Sequence, residues 1–438
     1  MTEKIKKDKR PNIMFIFTDQ QQAGMMSCAG NKYLHTPAMD SLAETGVRFE
    51  KAYCANPVCL PSRFSMMTGR MPDEIGIRDN DVRWLEKVPE DITKNTMGWV
   101  LRNAGYDVGY GGKVHLPKGM HPEAMGFDNI TSDQRAGLSD SCIEFIRKER
   151  ENPFLLIASF INPHDICYMA IRDYEEIDRA RPAAHALDIA LELPEGVSRD
   201  EFLEKYCPPV PDNFEPQDQE PEAIRMIQEQ RLFKKNAKDT WSEEKWRMHR
   251  WAYCRLTEVV DAHIGRVLDA LKESGLEEDT LIIFSSDHGD MDSAHRMEHK
   301  TALYEEAVRV PMIVSHKGVT PAGVVNDTHL VSNGLDLIPT LCDYAGIEPP
   351  AGLTGLSFRP LAEGREPQSW RDHLWIESEF GYMVQGNRYK YMLYDSGEDR
   401  EQLIDLEEDP GEMKNMATDP AYQDILSEYR QYFQSYQS

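Results

Sequence analysis

The stretch Asn12-Ile13-Met14-Phe15-Ile16-Phe17-Thr18-Asp19 best indicates the fold, because a short apolar run leads directly into a carboxylate. An uninterrupted apolar run between polar residues is typical of a strand that is buried on both faces of a parallel sheet. The pattern recurs along the chain, and most of the later runs also lead into residues that could bind a ligand. These runs are Asp107–Tyr110 before Lys113 and His115, Phe154–Phe160 before His164, Leu281–Ser286 before Asp287 and His288, and Val310–Ser315.

Segments with helical periodicity lie between these runs, namely Pro37–Thr45, Thr96–Asn103, Trp251–Glu273 and Leu335–Tyr344. Strands that alternate with helices predict an α/β fold, with a large and mostly parallel sheet covered by helices on both faces. Ligands of such sheets bind beyond the carboxyl ends of the strands. The polar residues that follow the apolar runs therefore mark the predicted functional site.

Residues 1–364 are predicted to form this α/β domain, and residues 365–438 a smaller C-terminal α+β domain. The C-terminal part contains three segments typical of antiparallel strands and one closing helix: Trp375–Glu379, Gly381–Val384, Tyr389–Tyr394 and Pro420–Tyr432. Residues 166–250 are rich in Glu, Asp and Pro and interrupt the alternation. We expect them to form a surface excursion, which is either a spacer or a flap that shapes the substrate site.

Charge and composition exclude several classes of protein. The formal net charge is −26, so a nucleic-acid partner is not expected, and a site for an anion must be locally positive. No run approaches the length of a membrane span, and the basic start MTEKIKKDKRPN has no apolar region of signal-peptide length behind it. The expected location is cytoplasmic for the chain as written, or periplasmic or secreted if a leader was removed. The eight cysteines have no repeating spacing and are expected to be reduced thiols.

The most specific motif is Cys59-Leu60-Pro61-Ser62-Arg63, followed by Thr68-Gly69-Arg70. A cysteine near a proline is by itself most often a buried thiol close to the start of a helix. The longer run resembles the modification motif of the sulfatase family, in which the cysteine is oxidised to formylglycine. This resemblance implies an alkaline-phosphatase-like fold, and a maturation enzyme that modifies Cys59 as a partner.

Further segments resemble the same family in the same order along the chain. They are Pro11–Asp19, Gly105–Leu116, Pro163-His164, Ser286–Gly289, Lys300–Pro311, Asp336–Thr340 and Asp405–Pro410. The resemblance covers nearly the whole chain, except residues 166–250 and parts of the C-terminal region.

The resemblance implies a divalent metal ion held by Asp19, Gln20, the modified Cys59, Asp287 and His288. Many calcium-dependent sulfatases carry two adjacent Asp residues after the first strand and Asp-Asn at the second metal segment, where this chain has Asp19-Gln20 and Asp287-His288. An imidazole ligand suits Mn, Zn or Fe better than Ca, which prefers oxygen. Some sulfatases that resemble this chain nevertheless combine Asp-His with calcium, so we expect Ca²⁺, with Mn²⁺ as the alternative.

Sulfuryl transfer needs a nucleophile that can be reset and positive charge around the sulfate oxygens. Hydrated formylglycine has two hydroxyls, of which one attacks sulfur and the other is deprotonated to expel sulfate and restore the aldehyde. A bound metal lowers the pKa of the attacking hydroxyl. The other implied site residues are Arg63 to stabilise the diol, Lys113 and Lys300 to hold the sulfate, His115 to assist the second hydroxyl, His164 to protonate the leaving oxygen and Asn80 to contact the substrate.

The sequence thus predicts a sulfate-ester hydrolase that acts on a small-molecule or glycan sulfate ester, either a sulfated carbohydrate, which is favoured, or an aryl sulfate. Phosphonate monoester hydrolases share the Asp-His pair and the modified cysteine, so a phosphonate or phosphodiester hydrolase is the alternative. A third hypothesis is a non-catalytic sulfoglycan-binding protein in which Cys59 stays a thiol. The sequence favours no particular oligomeric state.

Overall fold

The computed structural model of the protein describes residues 10–176, 178 and 181–437, so the basic segment at residues 1–9 lies outside the described part. The strands are, in chain order, β1 (Asn12–Asp19), β2 (Val47–Phe49), β3 (Ala52–Tyr53), β4 (Asp107–Gly112), β5 (Asp128–Thr131), β6 (Phe154–Pro163), β7 (Thr280–Ser286), β8 (Met312–Ser315), β9 (Val324–Asn326), β10 (Val331–Ser332), β11 (His373–Ser378), β12 (Gly381–Gly386), β13 (Tyr389–Tyr394) and β14 (Glu401–Asp405).

The α-helices are α1 (Pro37–Thr45), α2 (Cys59–Thr68), α3 (Glu90–Thr93), α4 (Met97–Asn103), α5 (Ala136–Arg147), α6 (Tyr168–Tyr174), α7 (Pro182–Ala190), α8 (Arg199–Lys205), α9 (Glu222–Glu229), α10 (Leu232–Thr240), α11 (Glu243–Glu273), α12 (Glu305–Val308), α13 (Leu337–Ala345), α14 (Arg359–Ala362) and α15 (Gln423–Gln437). Among the described residues, no helix is both long and apolar enough to cross a membrane.

The main sheet of the described chain has eight strands in the order β5-β4-β6-β1-β7-β8-β2-β9. Strands β5, β4, β6, β1 and β7 run parallel, whereas β8 is antiparallel to both of its neighbours. The central strand β1 pairs with β6 and β7, and Phe17 is opposite Ser159 on one side and Ser285 on the other. This register brings the carboxyl ends of the three strands to the same edge of the sheet.

Alternate residues of β1 pack into two different apolar cores. Phe15 and Phe17 belong to the core under α2, α4 and α13, whereas Met14 and Ile16 belong to the core under α1, α5 and α11. Successive strand residues point to opposite faces, so an uninterrupted apolar strand requires cover on both. The predicted α/β fold, with a mostly parallel sheet between two helical layers, is confirmed.

Helix α11 begins at Glu243, eight residues before the predicted start at Trp251. Ser242 caps its amino terminus, since the Ser242 hydroxyl accepts a hydrogen bond from the backbone N–H of Lys245. Glu243 and Glu244 in the first turn complement the helix dipole. Residues 166–250, expected to be a surface excursion, contain α6 to α10 and bury an apolar cluster that includes Leu187, Ala237 and Trp246.

The predicted C-terminal antiparallel strands correspond to a separate four-stranded sheet, β11-β12-β13-β14. Helix α15 covers one face of this sheet, where Phe433 contacts Trp375 and Tyr391 with ring centroids 5.0 and 5.7 Å apart. The division of the chain at residue 364 stays a prediction.

Candidate active site

The candidate nucleophile Cys59 is the first residue of α2, at the carboxyl edge of the main sheet. Val58 before it is extended, and Gly69 directly after the helix has a φ of +69°, which suits a residue without a Cβ. Arg63 follows Cys59 by four residues and therefore lies on the same face of the helix. The spacing of the CLPSR motif thus directs the thiol and the guanidinium toward the same place.

Four buried side chains converge here in a way that suits a metal ion. The nearest ligand atoms of Asp19, Cys59, Asp287 and His288 all lie within 4.8 Å of one another. Asp19 ends β1, while Asp287 and His288 directly follow β7, so the parallel register brings them together. The site combines two carboxylates, an imidazole and the position of Cys59, and burial together with the charge of Asp19 raises the pKa of Asp287 to about 6.

The imidazole of His288 is oriented by its own backbone neighbourhood. Its Nδ1 donates to the carbonyl oxygen of Gly289 at 2.8 Å, which leaves Nε2 to face Cys59 Sγ at 3.3 Å. A hydrogen bond of this kind fixes which nitrogen can act as a ligand. Nε2 of His288 is therefore the ring nitrogen available to a metal ion.

Arg63 links the two carboxylates. Its Nη2 donates to Asp19 Oδ2 and its Nε to Asp287 Oδ2, each at 2.8 Å, and all three side chains are buried. Its Nη1 donates to the backbone oxygen of Lys113 and to Ser159 Oγ, also at 2.8 Å. Arg63 thus holds the metal-ligand candidates and the end of β4 in one fixed arrangement.

Two lysines supply positive charge at Cys59. Lys300 Nζ lies 2.8 Å and Lys113 Nζ 3.7 Å from Cys59 Sγ, and Lys113 Nζ also lies 2.5 Å from Asp19 Oδ2. Burial and Asp19 raise the pKa of the Cys59 thiol, but Lys113, Lys300 and His288 outweigh them, so it lies well below its usual value. The surroundings of Cys59 therefore favour an anion.

The backbone around both lysines is tightly constrained. Gly112 before Lys113 has φ +95°, and a Cβ there would lie 2.0 Å from the backbone oxygen of Ser159. Lys300 lies between His299 and Thr301, which adopt φ of +68° and +93°. Left-handed conformations at non-glycine residues are costly and concentrate at functional sites.

Gln20 lies next to the cluster and is held by several partners. Its Oε1 accepts from Lys300 Nζ at 2.7 Å, and its Nε2 donates to Asp290 Oδ2 at 2.6 Å. Its backbone, at φ +69°, donates to Asp287 Oδ1 at 3.0 Å. The amide oxygen that we predicted as a metal ligand thus contacts Lys300 in this structure.

Three predicted site residues remain: His164, His115 and Asn80. His164 is half-buried with a buried Nδ1, and its pKa is lowered to about 3 by burial and by Lys113. His115 is exposed, and among the described residues it is not one of the hydrogen-bond partners of Cys59. Asn80 Oδ1 accepts from the backbone N–H of Leu60 at 3.0 Å, so it supports the first turn of α2.

Several supporting residues were not predicted from the sequence. Ser159 and Tyr110 both donate to the backbone oxygen of Lys113, at 2.7 and 2.6 Å. Ser159 is a polar residue inside the apolar run of β6, and this interruption of the run could have indicated a functional position. Asp290 directly follows a predicted segment. Cys167, whose Sγ donates to Gln20 Oε1 at 3.2 Å, lies in residues 166–250, where no motif is present.

Comparison with known proteins identifies the family of this chain. The family model described as Sulfatase matches residues 11–347, and that described as N-sulphoglucosamine sulphohydrolase, C-terminal, matches residues 293–438. A Delta 4,5-hexuronate-2-O-sulfatase of Bacteroides thetaiotaomicron is 30% identical, over 98% of this chain and 89% of its own length.

Two solved structures are similar over most of their length. A 2-O GAG sulfatase has a TM-score of 0.82 and 28% identity, covering 98% of this chain and 92% of that one. The phosphonate monoester hydrolase of Agrobacterium radiobacter has a TM-score of 0.74 at 22% identity, covering 97% of this chain and 95% of that one, which shows a shared fold alone.

The fold and the site together define an alkaline-phosphatase-like hydrolase. The chain belongs to the sulfatase family and is a sulfate-ester hydrolase.

Proposed function

We propose that this enzyme removes sulfate from a sulfated carbohydrate, using a formylglycine formed from Cys59 and a divalent metal ion. The observation that carries the proposal is the position of Cys59 Sγ, 2.8 Å from Lys300 Nζ and 3.3 Å from His288 Nε2, inside the cluster with Asp19 and Asp287. The names of the two sulfatase relatives above support a glycosaminoglycan-type sugar as the substrate class.

Asp19, Asp287 and His288 fit a divalent cation. They are fully buried, and burial together with the charge of Asp19 raises the pKa of Asp287, an effect that a bound cation would offset. A divalent ion bound there would lower the pKa of a hydroxyl on residue 59 and polarise a sulfate oxygen. We propose Ca²⁺, with Mn²⁺ as the alternative that the imidazole of His288 favours.

Formylglycine at position 59 would supply the paired hydroxyls that a plain thiol or serine lacks. Lys300 and Lys113 would bind sulfate oxygens, because both ammonium groups lie close to Cys59 Sγ, the position that the hydroxyls of formylglycine would take. Arg63 would orient the site through its contacts with Asp19 and Asp287. A maturation enzyme in the producing cell is the partner that this chemistry requires.

His164 is the proposed general acid for the leaving oxygen. Because burial and Lys113 lower its pKa to about 3, the ring is neutral near pH 7 before substrate binds. Proton donation therefore requires that the charge of the bound sulfate raise this pKa. His115 is proposed to assist the second hydroxyl, although its exposed position makes it the weaker candidate.

Side-by-side assays test the proposed reaction against its alternative. The purified enzyme, matured in a competent host, is given sulfate esters and phosphonate monoesters at equal concentration, and the released alcohol is measured. We expect kcat/KM for sulfate esters to exceed that for phosphonate esters by at least about a hundredfold, an ordinary degree of transition-state discrimination. Preferred turnover of phosphonate esters would overturn the proposal.

A further inference from the structure

Helix α10 places a second buried lysine beside Lys300. The Nζ of Lys234 donates to the backbone oxygen of Lys300 at 3.3 Å, and Lys234 is only 9% exposed. Lys300 extends its own Nζ to within 2.8 Å of Cys59 Sγ. Lys234 therefore contacts the backbone of the residue whose ammonium group reaches the nucleophile, although the two lysines come from distant parts of the chain.

Lys234 differs from Lys113 and Lys235 in forming no ion pair with a carboxylate of the described residues. Lys113 pairs with Asp19, and Lys235, the next residue of α10, pairs with Asp239. Among the described residues, no carboxylate forms an ion pair with Lys234, whose pKa is lowered to about 8 by burial and by the charge of Lys300. A buried ammonium group without a counter-ion is unfavourable, so this position is poised to accept an anion.

His299 and Glu379 do not supply that anion. His299, which contacts Phe233 with ring centroids 5.1 Å apart, has a pKa lowered by burial and by the charge of Lys234, so its ring is neutral. Glu379 acts on Lys234 only through longer-range charge, and its Oε1 accepts a hydrogen bond from Gln230.

We propose that Lys234 binds a second anionic group of the substrate, either a carboxylate or a second sulfate, close to the sulfate ester that is cleaved. The inference rests on the proposed function, in which Lys113 and Lys300 already match the single charge of the scissile sulfate. A substrate with only that charge would leave Lys234 unpaired. Lys234 is thus a specificity-determining residue for doubly anionic sugars.

The test compares three substrates: 4-nitrophenyl sulfate, which has no second anion, a 2-sulfated hexuronate disaccharide, which adds a carboxylate, and glucosamine 2-N,6-O-disulfate, which adds a sulfate. We expect wild type to prefer at least one of the doubly anionic sugars. Lys234→Gln should lower kcat/KM for that sugar at least about tenfold, mainly through KM, because a charge-assisted hydrogen bond is lost. Turnover of 4-nitrophenyl sulfate should stay within about twofold of wild type, since the contacts to the sulfate that is cleaved are unchanged.

Lys235→Gln is the matched control, since it removes a lysine from the same helix without reaching the site, and Lys234→Arg should restore part of the preference. The Tm of Lys234→Gln should change little, because the loss of the hydrogen bond to Lys300 is offset by removal of a buried charge that has no counter-ion. Equal losses on all three substrates, or no wild-type preference for either sugar, would overturn the inference and leave the proposed function standing. Failure of wild type to hydrolyse any of the three would instead overturn the proposed function.

Discussion

The Nζ of Lys300 lies 2.8 Å from the Sγ of Cys59, although 241 positions separate the two residues in the chain. The contact depends on a loop that is bonded to the segment before α2, since the backbone N–H of Thr301 donates to the oxygen of Pro57 at 3.1 Å. The lysine and the nucleophile are thus positioned by the same piece of backbone.

Removing the charge of Lys300 should abolish most of the activity. We expect Lys300→Ala to lower kcat by about 10²–10³-fold, the range found when one preorganised donor to a developing negative charge is deleted. Lys317→Ala is the control, because Lys317 is exposed and pairs with Glu277 away from the site. Steady-state assays of both variants check this, and a Lys300→Ala enzyme within about twofold of wild type would contradict the role.

Replacement of Arg63 should destabilise the fold as well as the site. Arg63→Met leaves the buried carboxylates of Asp19 and Asp287 without their shared cation, and breaking such a pair costs about 3–5 kcal/mol. Arg63→Lys keeps the charge but loses the fork that contacts both acids, so its loss should be intermediate. Urea unfolding in a metal chelator measures both, and unchanged stability of Arg63→Met would count against the network.

The choice of leaving group distinguishes the role of His164 from that of the two lysines. We expect His164→Ala to lower kcat for sugar sulfates by about 10²–10⁴-fold, the usual contribution of a positioned proton donor. With 4-nitrophenyl sulfate the loss should be small, because that leaving group departs without protonation. Equal losses on both substrates would assign His164 to sulfate binding instead, and His115→Ala measured alongside shows whether the exposed histidine matters.

Chelation should show whether the acidic cluster holds a metal. A ligand that binds only the folded state adds stability, so treatment with a chelator should lower Tm. Addition of Ca²⁺ or Mn²⁺ should restore it, and His288→Ala should weaken the response to Mn²⁺ more than the response to Ca²⁺. A Tm that no cation changes would contradict the proposed metal site.

Glu377 makes stability depend on pH away from the active site. It is 2% exposed on β11, and burial together with Asp73 raises its pKa to about 8. The folded state thus holds a proton that the unfolded chain releases near pH 4.5, so this contribution to stability is complete at low pH and declines until the pH passes about 8. Glu377→Gln should remove a dependence of up to about 1.4 kcal/mol per pH unit between these values.

Unfolding free energies at pH 5.5, 7 and 8.5 measure this difference. Glu379→Gln is the control, since Glu379 lies two residues further along the chain and its side chain is only partly buried. Parallel pH profiles for wild type and Glu377→Gln would mean that Glu377 is ionised in the fold.

The sequence predicted the strands and the residues at their ends because burial on both sheet faces leaves an unbroken apolar run. Asp19 and Asp287 could be placed together for that reason, and Cys59 and Arg63 because a four-residue spacing shares one helix face. Lys234 could not be found in this way. Its position depends on how α10 packs against the loop of Lys300, and no local pattern in residues 166–250 encodes a contact between such distant segments.

The orientation of Gln20 was equally beyond the sequence. Its position directly after Asp19 suggested a ligand, but the direction of its amide depends on Lys300 and Asp290, which come from another part of the chain. Helix α11 also began earlier than its apolar periodicity indicated, since the cap at Ser242 and not the pattern sets that end.

The most direct test of the account is peptide mass spectrometry across residues 58–63 of protein produced with a competent maturation enzyme. The account predicts a peptide about 18 Da lighter than the cysteine form, as expected when the thiol of the covalent catalyst becomes an aldehyde. Unmodified Cys59 in protein that still releases sulfate would contradict the central claim.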